Sequence, residues 1–232
     1  MAQLSAHQRK VLLSNAWLAA VDEAVVDDVV AGGSMHELQC GTCLFRRGDA
    51  YDGVYVVLEG SVRTSGMTRE GREVILTLHA PGAWFGEISA FDGLPRTHDL
   101  YAHTHSLLLR LRPTEFEDLL QRHPALSSVF LRLECARLRL ALAALEDFST
   151  QGFEQRLAAR LLDLAGAFGT TVSTGVRIEL HLPQEVLASM VGSTRQRVNQ
   201  VLIRWERAGL TARDRSRLKL VDLEVLRQLA AG

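Results

Sequence analysis

The chain has 232 residues, of which 47% are hydrophobic and 23% charged, and its formal net charge at pH 7 is −1. These values are ordinary for a globular protein of one or two domains. We find neither an apolar run of the roughly 18 residues that a membrane span needs nor a signal peptide, so we expect a cytoplasmic protein with reduced thiols and no membrane partner.

The charge is distributed unevenly along the chain. Residues 1–149 carry 14 basic and 19 acidic side chains, whereas residues 150–232 carry 12 and 8. Within residues 195–219 there are eight basic side chains against two acidic ones, a net charge of +6. A local basic stretch is typical of a nucleic-acid-binding surface, although a solvated helix face gives the same pattern. Charge alone therefore leaves both interpretations open.

The first half of the chain predicts helical structure followed by a β-rich region. Over residues 5–31 the apolar positions have a loose helical spacing. The expected core contacts of this segment are Leu12, Leu13, Trp17, Leu18 and Val21. From about residue 36 to 112, short apolar stretches such as 54–58 and 74–78 recur between glycines. Many short strands of this kind are typical of an all-β sandwich or barrel.

A long apolar helix is predicted next. Pro113 is expected at the first turn of one helix, and apolar residues recur every three or four positions over 124–147. Such a helix needs a partner along its length, which is a second copy of itself, the β-rich region, or both. The stretch from Ser149 to Gly152 predicts a hinge after it.

The last third of the chain predicts a winged helix-turn-helix. The expected elements are a helix over 153–168, a strand pair within 169–182, a short helix over 183–191, a basic helix over 195–208 and a wing strand over 218–221. Gly192 lies between the two later helices, and Gly209 ends the second of them. A short helix, a glycine-containing turn and a longer basic helix together are typical of a helix-turn-helix.

The second helix of such a unit enters the DNA major groove with its first residues at the base edges. Its polar face carries arginine, glutamine and asparagine, whose donors and acceptors match those of guanine and adenine. The predicted DNA-binding residues are Ser193, Thr194, Arg195, Gln196, Arg197, Asn199, Gln200 and Arg204. The apolar residues that are expected to face inward are Val198, Val201, Leu202 and Trp205.

A second cluster, residues 86–97, carries groups suited to a phosphate and a ribose. Gly86 allows backbone N–H groups to approach an anion, and a helix that begins there would direct its positive end at it. Glu87 can accept a hydrogen bond from a ribose hydroxyl, and the Arg96 guanidinium matches phosphate oxygens. Thr97 adds a hydroxyl. The alternative is that these residues are structural, with Arg96 paired to a carboxylate.

Several of these stretches resemble the catabolite-activator/fumarate-nitrate regulator (CRP/FNR) family. Residues 192–202 resemble its recognition segment and residues 85–97 its cyclic-nucleotide cassette, while residues 44–49 and 54–60 fit its β-roll. The resemblance runs from about residue 10 to the end. It implies an α+β fold with an N-terminal double-stranded β-helix (jelly roll), a long dimerisation helix and a C-terminal winged helix-turn-helix.

The same resemblance implies function and partners. We expect a sensor domain over 1–112, a dimerisation helix and hinge over 113–149, and a DNA-binding domain over 150–232. The protein is expected to be a homodimer that binds a palindromic double-stranded DNA operator, contacts RNA polymerase and is not an enzyme.

The implied effector site would take a cyclic nucleotide such as cAMP or cGMP, and another anion or no ligand at all stay open as alternatives. Its predicted residues are Gly86, Glu87, Ile88, Arg96, Thr97 and Arg137, with a Glu87–Arg137 contact expected. The sequence departs from the family at His98 and Asp99, where a small apolar residue usually follows the cassette. It also has Ala141 and Leu142 where cAMP-responding members carry hydroxyl groups. We therefore expect weak discrimination between cAMP and cGMP.

Two other interpretations stay open. One is a regulator of the same family that is gated by haem-bound gas or by thiol oxidation, since Cys40 and Cys43 form a CxxC motif. That motif is expected to span a β-turn, and only Cys135 remains as a further thiol, so no metal site is predicted. The other is a nucleotide-binding regulatory subunit without DNA function, which would have no need of a basic helix-turn-helix.

Overall fold

The computed structural model describes residues 4–14, 22–214 and 217–231. Three of the expected N-terminal core residues, Trp17, Leu18 and Val21, lie outside these ranges. The chain divides into two compact units, residues 1–67 with 76–139 and residues 68–75 with 140–232. The domain boundaries expected after residues 112 and 149 stay predictions.

The first unit is an antiparallel β-roll preceded by helices. It begins with α1 (Ala6–Leu13) and α2 (Glu23–Gly32). The strands are β1 (Ser34–Leu38), β2 (Cys43–Phe45), β3 (Val54–Glu59), β4 (Val62–Met67), β5 (Glu73–His79), β6 (Trp84–Phe85), β7 (Asp99–Ala102) and β8 (Ser106–Leu111), with the short helix α3 (Glu87–Asp92) after β6. They form two four-stranded sheets in the orders β1-β8-β3-β6 and β2-β7-β4-β5. The predicted jelly roll is confirmed.

Strand β3 shows why this sheet is stable. Successive side chains of a strand point to opposite faces, and β3 is buried on both. Val54, Val56 and Leu58 pack in the core between the sheet and the helices. Tyr55 and Val57 pack in the second core inside the roll. A strand that is covered on both faces needs the continuous apolar run that predicted it.

Two helices follow the roll, α4 (Pro113–Arg122) and α5 (Ala125–Thr150). Pro113 occupies the first turn of α4, as predicted. Helix α5 continues further than the hinge expected from Ser149. The hydroxyls of Ser149 and Thr150 donate to the carbonyl oxygens four residues earlier, at 3.0 and 2.9 Å, so these side chains are accommodated within the helix. The chain leaves helical geometry only after Thr150.

The second unit contains the predicted winged helix-turn-helix. Its elements are α6 (Phe153–Phe168), β9 (Gly169–Val172), β10 (Gly175–Ile178), α7 (Gln184–Met190), α8 (Arg195–Arg207), β11 (Thr211–Asp214), β12 (Arg217–Leu220) and α9 (Leu223–Ala231). The strands form one sheet in the order β11-β12-β10-β9. Strand β10 ends earlier than expected, because its pairing with β9 stops at Ile178 and the next amide, Glu179 N, donates to Phe168 O. None of the described helices combines the length and apolar character that crossing a bilayer requires.

Candidate effector pocket and DNA interface

The cassette begins at a glycine that the geometry requires. Gly86 has φ +88° and lies immediately before α3. A Cβ atom there would lie 2.7 Å from Arg96 Nη1, which donates to the Gly86 carbonyl oxygen at 2.9 Å. Glycine is therefore needed both for the left-handed backbone and for the close approach of the arginine.

Arg96 is buried and already paired. Only 3% of the residue is exposed, and its guanidinium carbon lies 4.2 Å from the centre of the Phe45 ring. Its Nη2 donates to Asp52 Oδ1 at 2.5 Å and to the Gly53 carbonyl oxygen at 2.7 Å. This is the carboxylate pairing that the sequence left open as the alternative to phosphate binding.

Asp52 is held by a second donor as well. Tyr55 Oη donates to Asp52 Oδ2 at 2.5 Å, and Arg110 Nη1 lies 3.8 Å from the same oxygen. Burial opposes ionisation of this carboxyl, but the hydrogen bonds from Tyr55 and Arg96 outweigh it and lower the pKa of Asp52. Asp52 is thus an ionised partner of Arg96 at neutral pH.

The expected Glu87–Arg137 contact is present. Glu87 is 2% exposed, and Arg137 on α5 donates to its Oε1, to the Trp84 carbonyl oxygen and to Glu134 Oε1. Burial raises the pKa of Glu87 to about 7, although the positive charge of Arg137 acts in the opposite direction. Glu87 Oε2 is buried without a hydrogen-bond partner. This buried oxygen therefore has unused hydrogen-bonding capacity.

The remaining predicted effector residues, Ile88 and Thr97, are exposed, unlike the buried Glu87 and Arg96. Ile88 is 43% exposed, and the exposed Thr97 has its Oγ1 3.1 Å from His98 Nδ1. Asp99, which departs from the family pattern, accepts from the Arg47 amide at 2.8 Å. Ala141 is exposed on α5.

Sequence reasoning missed a polar pair inside the roll. His79 Nε2 lies 2.8 Å from Thr64 Oγ1, and its ring centre is 5.3 Å from that of Phe85. Burial, with the charge of Arg137, lowers the pKa of His79 to about 3, so the ring is neutral at physiological pH. Neither residue belongs to a recognisable motif, and only the alternation of β4 and β5 could have indicated an inward position.

The CxxC motif spans a turn, as expected. Cys40 Sγ lies 3.2 Å from the His103 carbonyl oxygen, and burial raises the pKa of the half-buried Cys43 thiol. A raised pKa disfavours the reactive thiolate. Among the described residues, no group of three or more His, Cys, Asp or Glu side chains is arranged to hold a metal ion.

The recognition helix of the second unit has the predicted inward face. Val198, Val201, Leu202 and Trp205 are all buried. Thr194 caps α8 by accepting from the Arg197 amide at 3.3 Å. The tight turn before it is possible because Gly192 adopts φ +63°.

A cleft of about 630 Å³ lies between the helix-turn-helix and the wing. Arg195, Gln196 and Asn199 line it from α8, and Arg213 and Arg217 line it from the wing. Two recognition side chains have partners from α7 in the cleft wall. Arg195 Nη1 lies 2.9 Å from Glu185 Oε1, and Gln184 Nε2 donates to Asn199 Oδ1 at 2.7 Å.

Two predicted DNA-binding arginines lie instead against α6. Arg197 stacks over the Phe153 ring with its guanidinium carbon 4.5 Å from the ring centre. Arg204 forms an ion pair with Glu154. Their charges still contribute to the basic surface, but these two side chains do not line the cleft. Of the other predicted residues, Gln200 is exposed and Ser193 half-buried.

Comparison with known proteins agrees with the observed β-roll and with the observed helix-turn-helix. Residues 35–123 match the cyclic nucleotide-binding domain family, and residues 155–229 match the Crp-like helix-turn-helix domain. The CRP-like cAMP-activated global transcriptional regulator of Mycobacterium tuberculosis is 30% identical over 190 residues, covering 82% of this chain and 85% of that protein. The chain belongs to the CRP/FNR family of transcription regulators.

Other relatives of this CRP/FNR regulator are similarly distant. The transcriptional regulator SdrP of Thermus thermophilus is 32% identical over 199 residues, covering 82% of this chain and 94% of SdrP. A solved structure of a CRP-family transcriptional regulator from Thermus thermophilus superposes with a TM-score of 0.69 at 27% identity, covering 85% of this chain and 97% of that one. These proteins are transcription regulators rather than enzymes.

Proposed function

We propose that this CRP/FNR regulator is a cytoplasmic homodimer that binds a palindromic DNA operator and contacts RNA polymerase. Its dimer geometry would respond to a small anionic effector in the β-roll, with cAMP and cGMP as the candidates. In this proposal residues 1–112 sense the effector, residues 113–149 form the dimer and hinge, and residues 150–232 bind DNA.

The recognition helix carries the DNA-binding part of the proposal. Arg195, Gln196 and Asn199 present base-reading groups at the start of α8, beside two wing arginines, Arg213 and Arg217. Arginine can donate two hydrogen bonds to guanine, and glutamine pairs well with adenine. In a two-fold dimer, two such helices would occupy successive major grooves about 34 Å apart.

Helix α5 supports the dimer. Leu131, Leu138 and Leu145 recur every seven residues and are 65%, 60% and 65% exposed in the single chain. We call these three leucines the seam. A seven-residue apolar repeat on an exposed helix face is typical of parallel helix pairing, in which a second copy covers the repeat. Another face of α5 is already buried against the roll through Leu126 and Phe130.

Glu87 and Arg137 support effector control. The buried, unpartnered Oε2 of Glu87 could accept a ribose hydroxyl, while Oε1 is bound to Arg137 on α5. A ligand at Glu87 would therefore act directly on a contact of the proposed dimer helix. Ala141 and Leu142 offer no hydroxyl for a nucleobase, which supports weak discrimination between cAMP and cGMP.

Selection of binding sites from random DNA tests the operator. We expect enriched sites with two-fold symmetry and a guanine opposite Arg195. Arg195→Ala should cost roughly 1–3 kcal/mol and relax specificity at that guanine. Arg227→Ala is the matched control, because Arg227 is also an exposed arginine but lies on α9. Sites without symmetry, or the same sites selected by wild type and Arg195→Ala, would contradict the assignment.

A further inference from the structure

The first base-reading residue of α8 is held by a neighbouring helix. Arg195 Nη1 lies 2.9 Å from Glu185 Oε1, and Glu185 is in the first turn of α7. Among the residues that the structure describes, Glu185 is the one side chain that pairs with Arg195. Leu187 and Ala188 are buried, so α7 is fixed in the core of its unit. The position of the Arg195 guanidinium therefore depends on a helix that is not the recognition helix.

The carboxylate and a base can occupy different edges of this guanidinium. An arginine donates a pair of parallel hydrogen bonds either from its Nε–Nη2 edge or from its Nη1–Nη2 edge. Glu185 pairs with Nη1 and leaves the Nε–Nη2 edge for a base. Guanine offers its O6 and N7 atoms to such a pair of donors. Glu185 can therefore stay in place while Arg195 binds guanine.

Holding Arg195 affects recognition because its side chain is exposed. It is 69% exposed in the free chain, and ordering a long exposed side chain on binding costs conformational entropy. A partner that orients the side chain beforehand reduces this cost for the base that fits the chosen orientation, but not for other bases. A second recognition residue is held in the same way, because Gln184 Nε2 donates to Asn199 Oδ1 at 2.7 Å.

We propose that Glu185 is a positioning residue for DNA recognition, which holds Arg195 so that its Nε–Nη2 edge faces the guanine of each half-site. The inference rests on the proposed operator binding and adds a determinant of its specificity that lies outside the recognition helix. Glu185 increases the preference for guanine, while its negative charge lowers the affinity for DNA of any sequence. Its removal therefore has two effects that can be measured separately.

Two substitutions separate positioning from charge. Glu185→Ala removes both the charge and the acceptor, whereas Glu185→Gln removes the charge but keeps an oxygen that can accept from Arg195. We expect the preference for guanine over adenine opposite Arg195 to fall by about two- to tenfold in Glu185→Ala and by less in Glu185→Gln. The affinity for an unrelated duplex should rise equally in both variants, by about twofold. In Arg195→Ala, adding Glu185→Ala should not change the base preference further.

Fluorescence anisotropy with the full chain measures these affinities. The probes are the palindromic site that the wild type selects, the same site with adenine in place of that guanine in one half-site, and an unrelated duplex of equal length. Glu224→Gln is the control, because Glu224 also forms an exposed pair with an arginine, Arg227, but lies on α9. The Glu185–Arg195 pair is exposed, so its loss should leave thermal unfolding almost unchanged.

The outcomes are distinct. An unchanged base preference in Glu185→Ala overturns the proposal, and so does a loss that persists without Arg195 or that is equal in Glu224→Gln. An equal loss in Glu185→Gln and Glu185→Ala also overturns it, because the effect would then come from charge alone. A wild type that selects no site with a guanine opposite Arg195 overturns the proposed operator binding together with this inference. If wild type and Arg195→Ala behave as proposed while Glu185→Ala keeps its full preference, only the role of Glu185 fails.

Discussion

Leu138→Ala should weaken the proposed dimer, whereas Leu140→Ala should not. Both residues are large, apolar and exposed in the single chain, at 60% and 71%. They differ in direction, because two positions along an α-helix correspond to a rotation of about 200°. Leu138 belongs to the seam and Leu140 lies on nearly the opposite side of α5. Exposure in the monomer therefore does not distinguish them, but the seven-residue repeat does.

The expected size of the effect follows from burial. Covering a fully exposed leucine side chain contributes about 1.5–3 kcal/mol, so covering a residue that is 60% exposed contributes about 1–2 kcal/mol. A symmetric dimer contains two copies of Leu138, which gives about 2–4 kcal/mol. This change raises the dimer Kd by roughly 30- to 700-fold. For Leu140→Ala we expect a change of less than about threefold.

Sedimentation equilibrium over a wide concentration range measures both Kd values. Leucine and alanine both favour helices, so the two variants should retain the helical signal in circular dichroism. An equal loss of dimer in both variants, or a larger loss in Leu140→Ala, would refute the seam. A wild-type chain that is monomeric at micromolar concentration would refute the dimer itself.

Three further predictions concern the DNA interface and the roll. Arg213→Gln should weaken binding to all DNA sequences about equally and lower the salt dependence by about one phosphate contact, measured by titration at several salt concentrations. Arg137→Ala should leave the buried Glu87 without its cation and lower the free energy of unfolding by about 1–3 kcal/mol at pH 8. At pH 6 the loss should be smaller, because Glu87 can then be protonated, and denaturant titrations at the two pH values measure the difference. The pKa of His79 is lowered to about 3 in the folded chain, so His79 contributes stability above pH 6.5 that is lost as the pH falls towards 3. The loss in the free energy of unfolding is about 1–2 kcal/mol between pH 7 and 5. His79→Gln should remove this loss, which denaturant titrations at the two pH values measure.

Each of these three predictions has a control variant or a control condition. Arg227→Gln should leave the salt dependence unchanged, and an equal drop in both variants would show that Arg213 makes no specific phosphate contact. If Arg137→Ala loses the same stability at pH 6 and pH 8, Glu87 does not titrate in that range. The exposed His105, which pairs with Glu37, is the control for His79. An acid slope that is as steep in His79→Gln as in His105→Gln would contradict the neutral ring of His79.

The local features of this protein could be predicted from its sequence because they arise from neighbouring residues. Helix α6 begins and ends where the 3.6-residue periodicity predicted, and Thr194 caps α8 within the predicted helix-turn-helix. Val198, Leu202 and Trp205 are buried because helical spacing places them on one face. The CRP/FNR resemblance lay in these same short stretches and in the cassette.

Only the tertiary structure decided which charges meet. Arg96 pairs with Asp52, which is 44 residues earlier, and His79 meets Thr64 across two strands of the roll. The sequence contains many carboxylates, and spacing does not show which one a buried arginine will reach. Likewise, periodicity placed Arg204 on the outside of α8 but did not show that α6 supplies Glu154 beside it. Sheet register and helix packing bring these groups together, because both are determined by the whole core rather than by neighbouring residues.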